Sequence, residues 1–199
     1  VVITHKFLKL NIVFLKMESI ELSNYNNNDI FWRDFVNLKN NPYKLDISLG
    51  GFRCILIFLT KETDLSKYES PIPLGNMASL LRMNNAEVTI SIQNIDFYDK
   101  NKFKNYDLIC FFPMVSLLKS TLEFSNKVKK DYQKSMICFF NSDQHQHEMI
   151  LCNPKAEEFA KMIMEKHSSI DFVLVGEAET SLIKLAEKIF NKNKDFSDI

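Results

Sequence analysis

Residues 170–180 read Ile-Asp-Phe-Val-Leu-Val-Gly-Glu-Ala-Glu-Thr, and this stretch decides the fold. Phe172–Val175 is an apolar, β-rich run of the kind that fills a strand buried on both faces. Gly176 ends the run, and Glu177 and Glu179 open a helix whose apolar positions are Leu182, Ile183, Leu185, Ala186 and Ile189. That spacing puts one apolar stripe on the helix, with two carboxylates in a first turn where the helix dipole favours them. A strand that ends in glycine and turns at once into an acid-led helix is a ligand-side corner of an open α/β sheet.

Outward from that corner, the chain from Phe52 onward falls into the same rhythm. Phe52–Thr60 is a continuous apolar run, which predicts a central strand, and Lys61–Pro73 is a polar loop closed by Pro71 and Pro73. Leu74–Met83 reads as a helix with Met77, Ala78, Leu80 and Leu81 inward, and Glu87–Ile92 alternates as a strand nearer a sheet edge does. Asp107–Phe112 predicts a buried strand stopped by Pro113. Ser120–Tyr132 predicts a helix whose last turns carry Lys127, Lys129 and Lys130, as the dipole prefers. Met136–Phe140 is the next strand. Asn153 and Pro154 begin a helix with Phe159, Ala160, Ile163 and Met164 inward. Five strands and four helical crossovers give an α/β fold: a doubly wound, five-stranded parallel sheet, flavodoxin-like or more broadly Rossmann-like. The expected strand order is 2-1-3-4-5, with the ligand crevice at the strand C-termini.

Residues 1–50 stand apart as an N-terminal extension of uncertain role, bounded by Gly50-Gly51, with 51–199 as the α/β domain. Asn26–Asn28 and Asn40–Pro42 bracket a predicted helix at Asp29–Leu38. Val1–Lys16 is apolar but carries His5, Lys6, Lys9 and Lys16, so it has the pattern of neither a signal peptide nor a span, and Met17 is a possible start.

The totals exclude several function classes. Lys plus Arg and Asp plus Glu each number 25 in 199 residues, so no global field points to nucleic acid or an anionic membrane. No run reaches the roughly 18 apolar residues of a membrane helix. The four cysteines, Cys54, Cys110, Cys138 and Cys152, have no paired spacing for zinc, an iron–sulfur cluster or a disulfide frame. Their scatter suits a reducing, cytoplasmic setting. Only four glycines occur, too few and too dispersed for a dinucleotide fingerprint or a Walker loop, whose backbone N–H groups must approach phosphate. A phosphoreceiver is excluded as well. It needs an Asp after the third strand and a Lys after the fifth, where this chain has Pro113-Met114 and Gly176-Glu177.

The fold places candidate site residues at Thr60–Pro73, Pro113–Lys119, Asn141–Asn153 and Gly176–Thr180. Ser116 either hydrogen-bonds a heterocycle walled by Val115 and Leu117 or simply caps the next helix. His145 and His147, beside Asp143, Glu148 and Cys152, are either a metal site of a small enzyme or a solvated polar loop; their spacing matches no ligand signature. Gly176 permits close approach of a ligand or of the next helix, and Glu177 and Glu179 either accept hydrogen bonds from a ligand or serve only the dipole.

Taken together, the pattern from about Phe52 to Phe190 resembles the cobalamin-binding domain at the N-terminus of cobalamin-dependent radical SAM enzymes. The resemblance rests on Pro73-Leu74-Gly75 opening the first helix, and on Leu81-Arg82 before the turn Asn84–Ala86. It continues in Tyr106-Asp107-Leu108-Ile109 and, most specifically, Asp171-Phe172-Val173-Leu174-Val175-Gly176-Glu177-Ala178-Glu179-Thr180. It implies cobalamin as cofactor, with Pro113, Val115, Ser116, Leu117, Asn141, Ser142, His145, Gly176, Glu177 and Glu179 beside its nucleotide tail. Residues 60–75 hold no histidine, so the Asp-x-His-x-x-Gly cobalt ligand of the methionine-synthase type is missing. Where the family has Gly-Gly and often Pro-His, this chain has Asn141-Ser142-Asp143-Gln144-His145. No Cys-x-x-x-Cys-x-x-Cys occurs, so the chain holds no radical SAM cluster and is not catalytic alone. The resemblance implies a radical SAM partner domain, in cis or in trans, for methyl transfer. The alternative is a degenerate relative that acts as an interaction protein without cobalamin.

Overall fold

A computed structural model describes residues 43–62, 72–140, 155–176, 178–197 and 199. The chain divides into two units, Val1–Asn41 and Pro42–Ile199, and only the second falls within the described residues. The expected Asp29–Leu38 helix therefore lies outside them. The described elements run β1 (Arg53–Thr60), α1 (Ile72–Met83), β2 (Glu87–Asn94), β3 (Leu108–Phe112), α2 (Leu118–Asp131), β4 (Met136–Phe139), α3 (Ala156–Lys166), β5 (Phe172–Val173) and α4 (Ala178–Phe190). Short 3-10 turns at Lys100–Phe103 and Val115–Leu117 precede β3 and α2 respectively.

The five strands form one sheet in the order β2-β1-β3-β4-β5, every neighbouring pair parallel. This is the flavodoxin-like winding. β1 pairs along its whole length with β2 and, from Cys54 to Phe58, with β3. Strand side chains alternate between faces, so Cys54, Leu56 and Phe58 enter one core while Ile55, Ile57 and Leu59 enter the other. α1 and α4 cover the first face through Leu74, Met77, Ala78, Leu81, Leu182, Leu185 and Ala186. α2 and α3 cover the second through Phe124, Val128 and Ile163. Phe111 sits at the centre of that second layer, with ring centroids 6.1 Å from Phe124 and 5.7 Å from Phe139.

The segment before β1 belongs to this unit. Leu49 is fully buried, its N–H bonds Asn84 O at 2.8 Å, and Leu45 and Ile47 pack on the same core. Asn84 fastens the segment further, accepting from Leu45 N and donating to Tyr43 O. Gly51, at φ 86, makes the turn into β1, a conformation that glycine adopts without steric cost.

Several local expectations change. Of the expected strand Phe172–Val175 only Phe172–Val173 pairs, as an edge strand that is partly buried because no strand among the described residues pairs with its outer side. Residues after α4 fold back over it, with the Phe172 and Phe196 rings 4.9 Å apart. Met164 is 44% exposed and Leu80 is half-buried rather than inward, since each stands at the margin of its helix's apolar stripe. The predicted cap Asn153 and Pro154 lie outside the described residues; α3 itself begins at Ala156 with no side-chain cap from Lys155.

Phe111 and Val115 lie four residues apart but differ completely in burial, at 0% and 51% exposed. Phe111→Ala should cost about 3–5 kcal/mol, the transfer and cavity terms of a core phenylalanine. Val115→Ala should stay within about 0.5 kcal/mol. Urea unfolding monitored by circular dichroism measures both, with equal m-values expected.

Candidate functional site

Because all five strands are parallel, their C-terminal ends share one edge. The residues that follow them are brought together there by topology alone.

After β1, buried Thr60 accepts from Glu62 N at 3.1 Å through Oγ1, and its carbonyl accepts from Ile95 N. Asn94 at the end of β2 completes the tie, its amide donating to Lys61 O at 3.2 Å and Glu62 O at 3.0 Å. The sequence pattern, which ended this strand at Ile92, gave no hint of that latch. Residues 63–71 of the first loop lie outside the described residues.

After β3, Pro113 is buried, Leu117 packs partly on the core, and Val115 and Ser116 are exposed. Ser116 does not cap α2. The cap position is Leu117, which offers no side-chain bond, and the carbonyl of Leu117 is taken by Thr121 Oγ1 at 2.9 Å. The Ser116 hydroxyl has no hydrogen-bond partner among the described residues.

After β4, Phe140 is buried, and Asn141, Ser142 and His145 lie outside the described residues, as do Asp143, His147, Glu148 and Cys152 of the possible metal site. After β5, Leu174 is buried, Val175 is 38% exposed, and Gly176 stands at φ 79. A Cβ at Gly176 would meet nothing within 4 Å, so the backbone turn, rather than crowding, accounts for the glycine. Ala178 then starts α4 fully buried, and Glu179 lies in its first turn. Glu177 is outside the described residues. The sheet order thus sets Pro113–Leu117 and Gly176–Glu179 on either side of the β4 end, roughly 10 Å apart at two strand spacings.

Two acids in the motifs of the first subsection have structural partners instead. Asp107, just before β3, accepts from Arg53 N at 2.8 Å; Asp171, just before β5, accepts from Ile137 N at 2.7 Å. Each carboxylate satisfies an N–H at the start of the neighbouring strand, which a parallel ladder leaves open there. Lys129 joins the second pair, with Nζ 2.7 Å from Asp171 Oδ2 and 2.9 Å from Ser135 O. These contacts lie at the amino edge, opposite the candidate site.

A third group, three thiols, spans the sheet. Cys110 is in register with Cys138, and the Cys54 and Cys110 sulfurs are 3.9 Å apart. All three are free and buried, and among the described residues no group of three or more His, Cys, Asp or Glu is arranged to hold a metal. No helix among those residues is long and apolar enough to cross a membrane. Among the described residues of the carboxyl edge, Val115 and Ser116 are exposed and nothing lies within 4 Å of a Cβ built at Gly176.

No protein-family model and no curated protein matches the chain. Among solved structures it is similar to a chain described as a CpaE2 pilus assembly protein from Sinorhizobium meliloti. The TM-score is 0.38 and the identity 10%, covering 69% of this chain and 98% of that one. So distant a likeness says nothing about ligand or partner.

Burial, and then the hydrogen bonds with Cys138 and Cys54, hold the Cys110 thiol well above its ordinary range. The folded protein therefore keeps this proton after the unfolded chain has lost it. Its contribution to stability is fully present below the unfolded value of about 8.5 and is lost progressively above it. The urea midpoint should fall between pH 8 and pH 10, and Cys110→Ala should flatten that fall while lowering the midpoint at pH 7. A slope unchanged in the variant would place the titration elsewhere.

Proposed function

We propose that this chain is a cobalamin-binding module. The segments that follow β3 and β5, at the carboxyl edge of the sheet, would hold the cobalamin. The observation that carries the proposal is the Gly-Glu-x-Glu corner. Gly176 takes the left-handed turn that lets α4 start directly at the end of β5, on the same edge as the exposed Val115–Ser116 segment. Val115, Ser116, Leu117 and Gly176 would border the tail, with Glu179 at the head of α4; Asn141, Ser142, His145 and Glu177 complete the set by sequence position. When bound, cobalamin supplies a transferable methyl group. The chain's own residues would bind and orient it, and the exposed Ser116 hydroxyl, without a partner among the described residues, would give or take a hydrogen bond. Catalysis belongs to a radical SAM domain in the same polypeptide or in a separate partner, since this sequence has no cluster-binding cysteine motif. Free, buried Cys54, Cys110 and Cys138 are in keeping with a reducing, cytoplasmic setting for that chemistry.

A second function is favoured by one sequence feature. Asn141-Ser142 puts side chains where the resembling family has Gly-Gly. A sheet that had lost its ligand in this way would serve as an interaction protein.

The two separate cleanly. Protein incubated with hydroxocobalamin and desalted should keep about one corrin per chain with a base-off visible spectrum. Ser116→Trp, which alters an exposed position, should weaken retention by about tenfold or more, equivalent to about 1.4 kcal/mol. A folded protein that emerges colourless would refute the cobalamin proposal and leave the interaction protein.

A further inference from the structure

β2 is an edge strand, and its outer side is open among the described residues. It runs 8 residues in unbroken register with β1, without the bulge, proline or lysine that blunts many exposed edges. The opposite edge strand, β5, is only 2 residues long. Along a strand the backbone groups point alternately to its two sides. Glu87 N and Ile95 N bond Phe52 O and Thr60 O, so the odd-numbered residues of β2 face β1. Val88, Ile90, Ile92 and Asn94 therefore face outward. Two of their carbonyls are taken, Val88 O by Arg82 Nη2 at 2.7 Å and Asn94 O by Phe97 N at 3.2 Å. Between them, the N–H and C=O of Ile90 and of Ile92 have no partner among the described residues.

This open window matches itself. With a second β2 laid antiparallel about a two-fold axis at Ser91, Ile90 of each copy stands opposite Ile92 of the other. Each such pair exchanges both of its backbone bonds, about four in all, and every open group of the window is closed. The side chains agree with that register. Half-buried Ile90 and Ile92, on the face that packs with α1, meet each other. On the opposite face Ser91 meets Ser91, and Thr89 meets Gln93. The only charge in the strand, Glu87, lies outside the window with Arg53 at 3.4 Å, so pairing brings no like charges together. Open backbone groups alone accept any strand; the closed ends and the matched side chains single out a second copy.

We propose that two copies of this chain associate through β2, antiparallel about Ser91, joining their five-stranded sheets into one. The contact runs along the side of the sheet farthest from β5 and does not depend on cobalamin.

Sedimentation of the full chain over a range of concentrations tests this, and a monomer–dimer equilibrium is expected. Ser91→Lys sets like charges directly opposite across the axis and should weaken the dimer several-fold, with the circular dichroism unchanged. Ser91→Cys, oxidised with copper(II) phenanthroline, should give a disulfide-linked dimer that dithiothreitol reverses. The Cα atoms of a non-hydrogen-bonded antiparallel pair lie about 4.5 Å apart, within bridging range. Thr89→Cys, which faces Gln93 rather than its own copy, should link far less, as should the unaltered chain with its 4 cysteines. A chain that stays monomeric, a dimer that Ser91→Lys leaves intact, or Ser91→Cys that links no better than Thr89→Cys overturns the proposal.

Discussion

The fold depends on one constraint, that β1 must be covered on both faces and both edges at once. Seven of its eight residues are buried, and an apolar strand of that length has no stable place at the surface. Its backbone pairs with β2 along its whole length and with β3 from Cys54 to Phe58. The alternation of Cys54, Leu56 and Phe58 against Ile55, Ile57 and Leu59 then requires a helical layer on each side. At about 1.5–3 kcal/mol per fully buried large side chain, no other element among the described residues contributes as many buried apolar side chains. Parallel neighbours require crossovers, and crossovers of this kind leave every loop at one of two edges.

Those edges are built differently. The amino edge is fastened by charged side chains: Asp107 on Arg53 N, Asp171 on Ile137 N, and Lys129 bridging Asp171 to Ser135 O. The carboxyl edge is fastened near β1 and β2 by Thr60 and Asn94. Near β3 and β5 it presents exposed Val115, Ser116 and Val175 and the open flank of Gly176. Cobalamin is proposed to lie at the end of this edge that the Thr60 and Asn94 ties do not reach.

The strand order was legible because the sequence writes burial directly. The unbroken run Phe52–Thr60 reads as central, and the alternation in Glu87–Ile92 reads as peripheral. The same rule misjudged Phe172–Val175, because an apolar run can also mark a short edge strand covered by a distant ring, here Phe196. Ser116 was open between capping and binding, and only the backbone geometry at Leu117 removes the cap. Asp107 and Asp171 looked like parts of a family motif, yet each has a local task in the ladder that any parallel sheet of this winding presents.

The central claim is that ligand binding belongs to the carboxyl edge. Amide hydrogen exchange followed by mass spectrometry, with and without hydroxocobalamin, tests it most directly. Binding at that edge slows exchange in the peptides that follow β3 and β5 and leaves the last turns of α2 unchanged. Exchange unaffected throughout, or slowed only around Lys127 and Lys130, would contradict it.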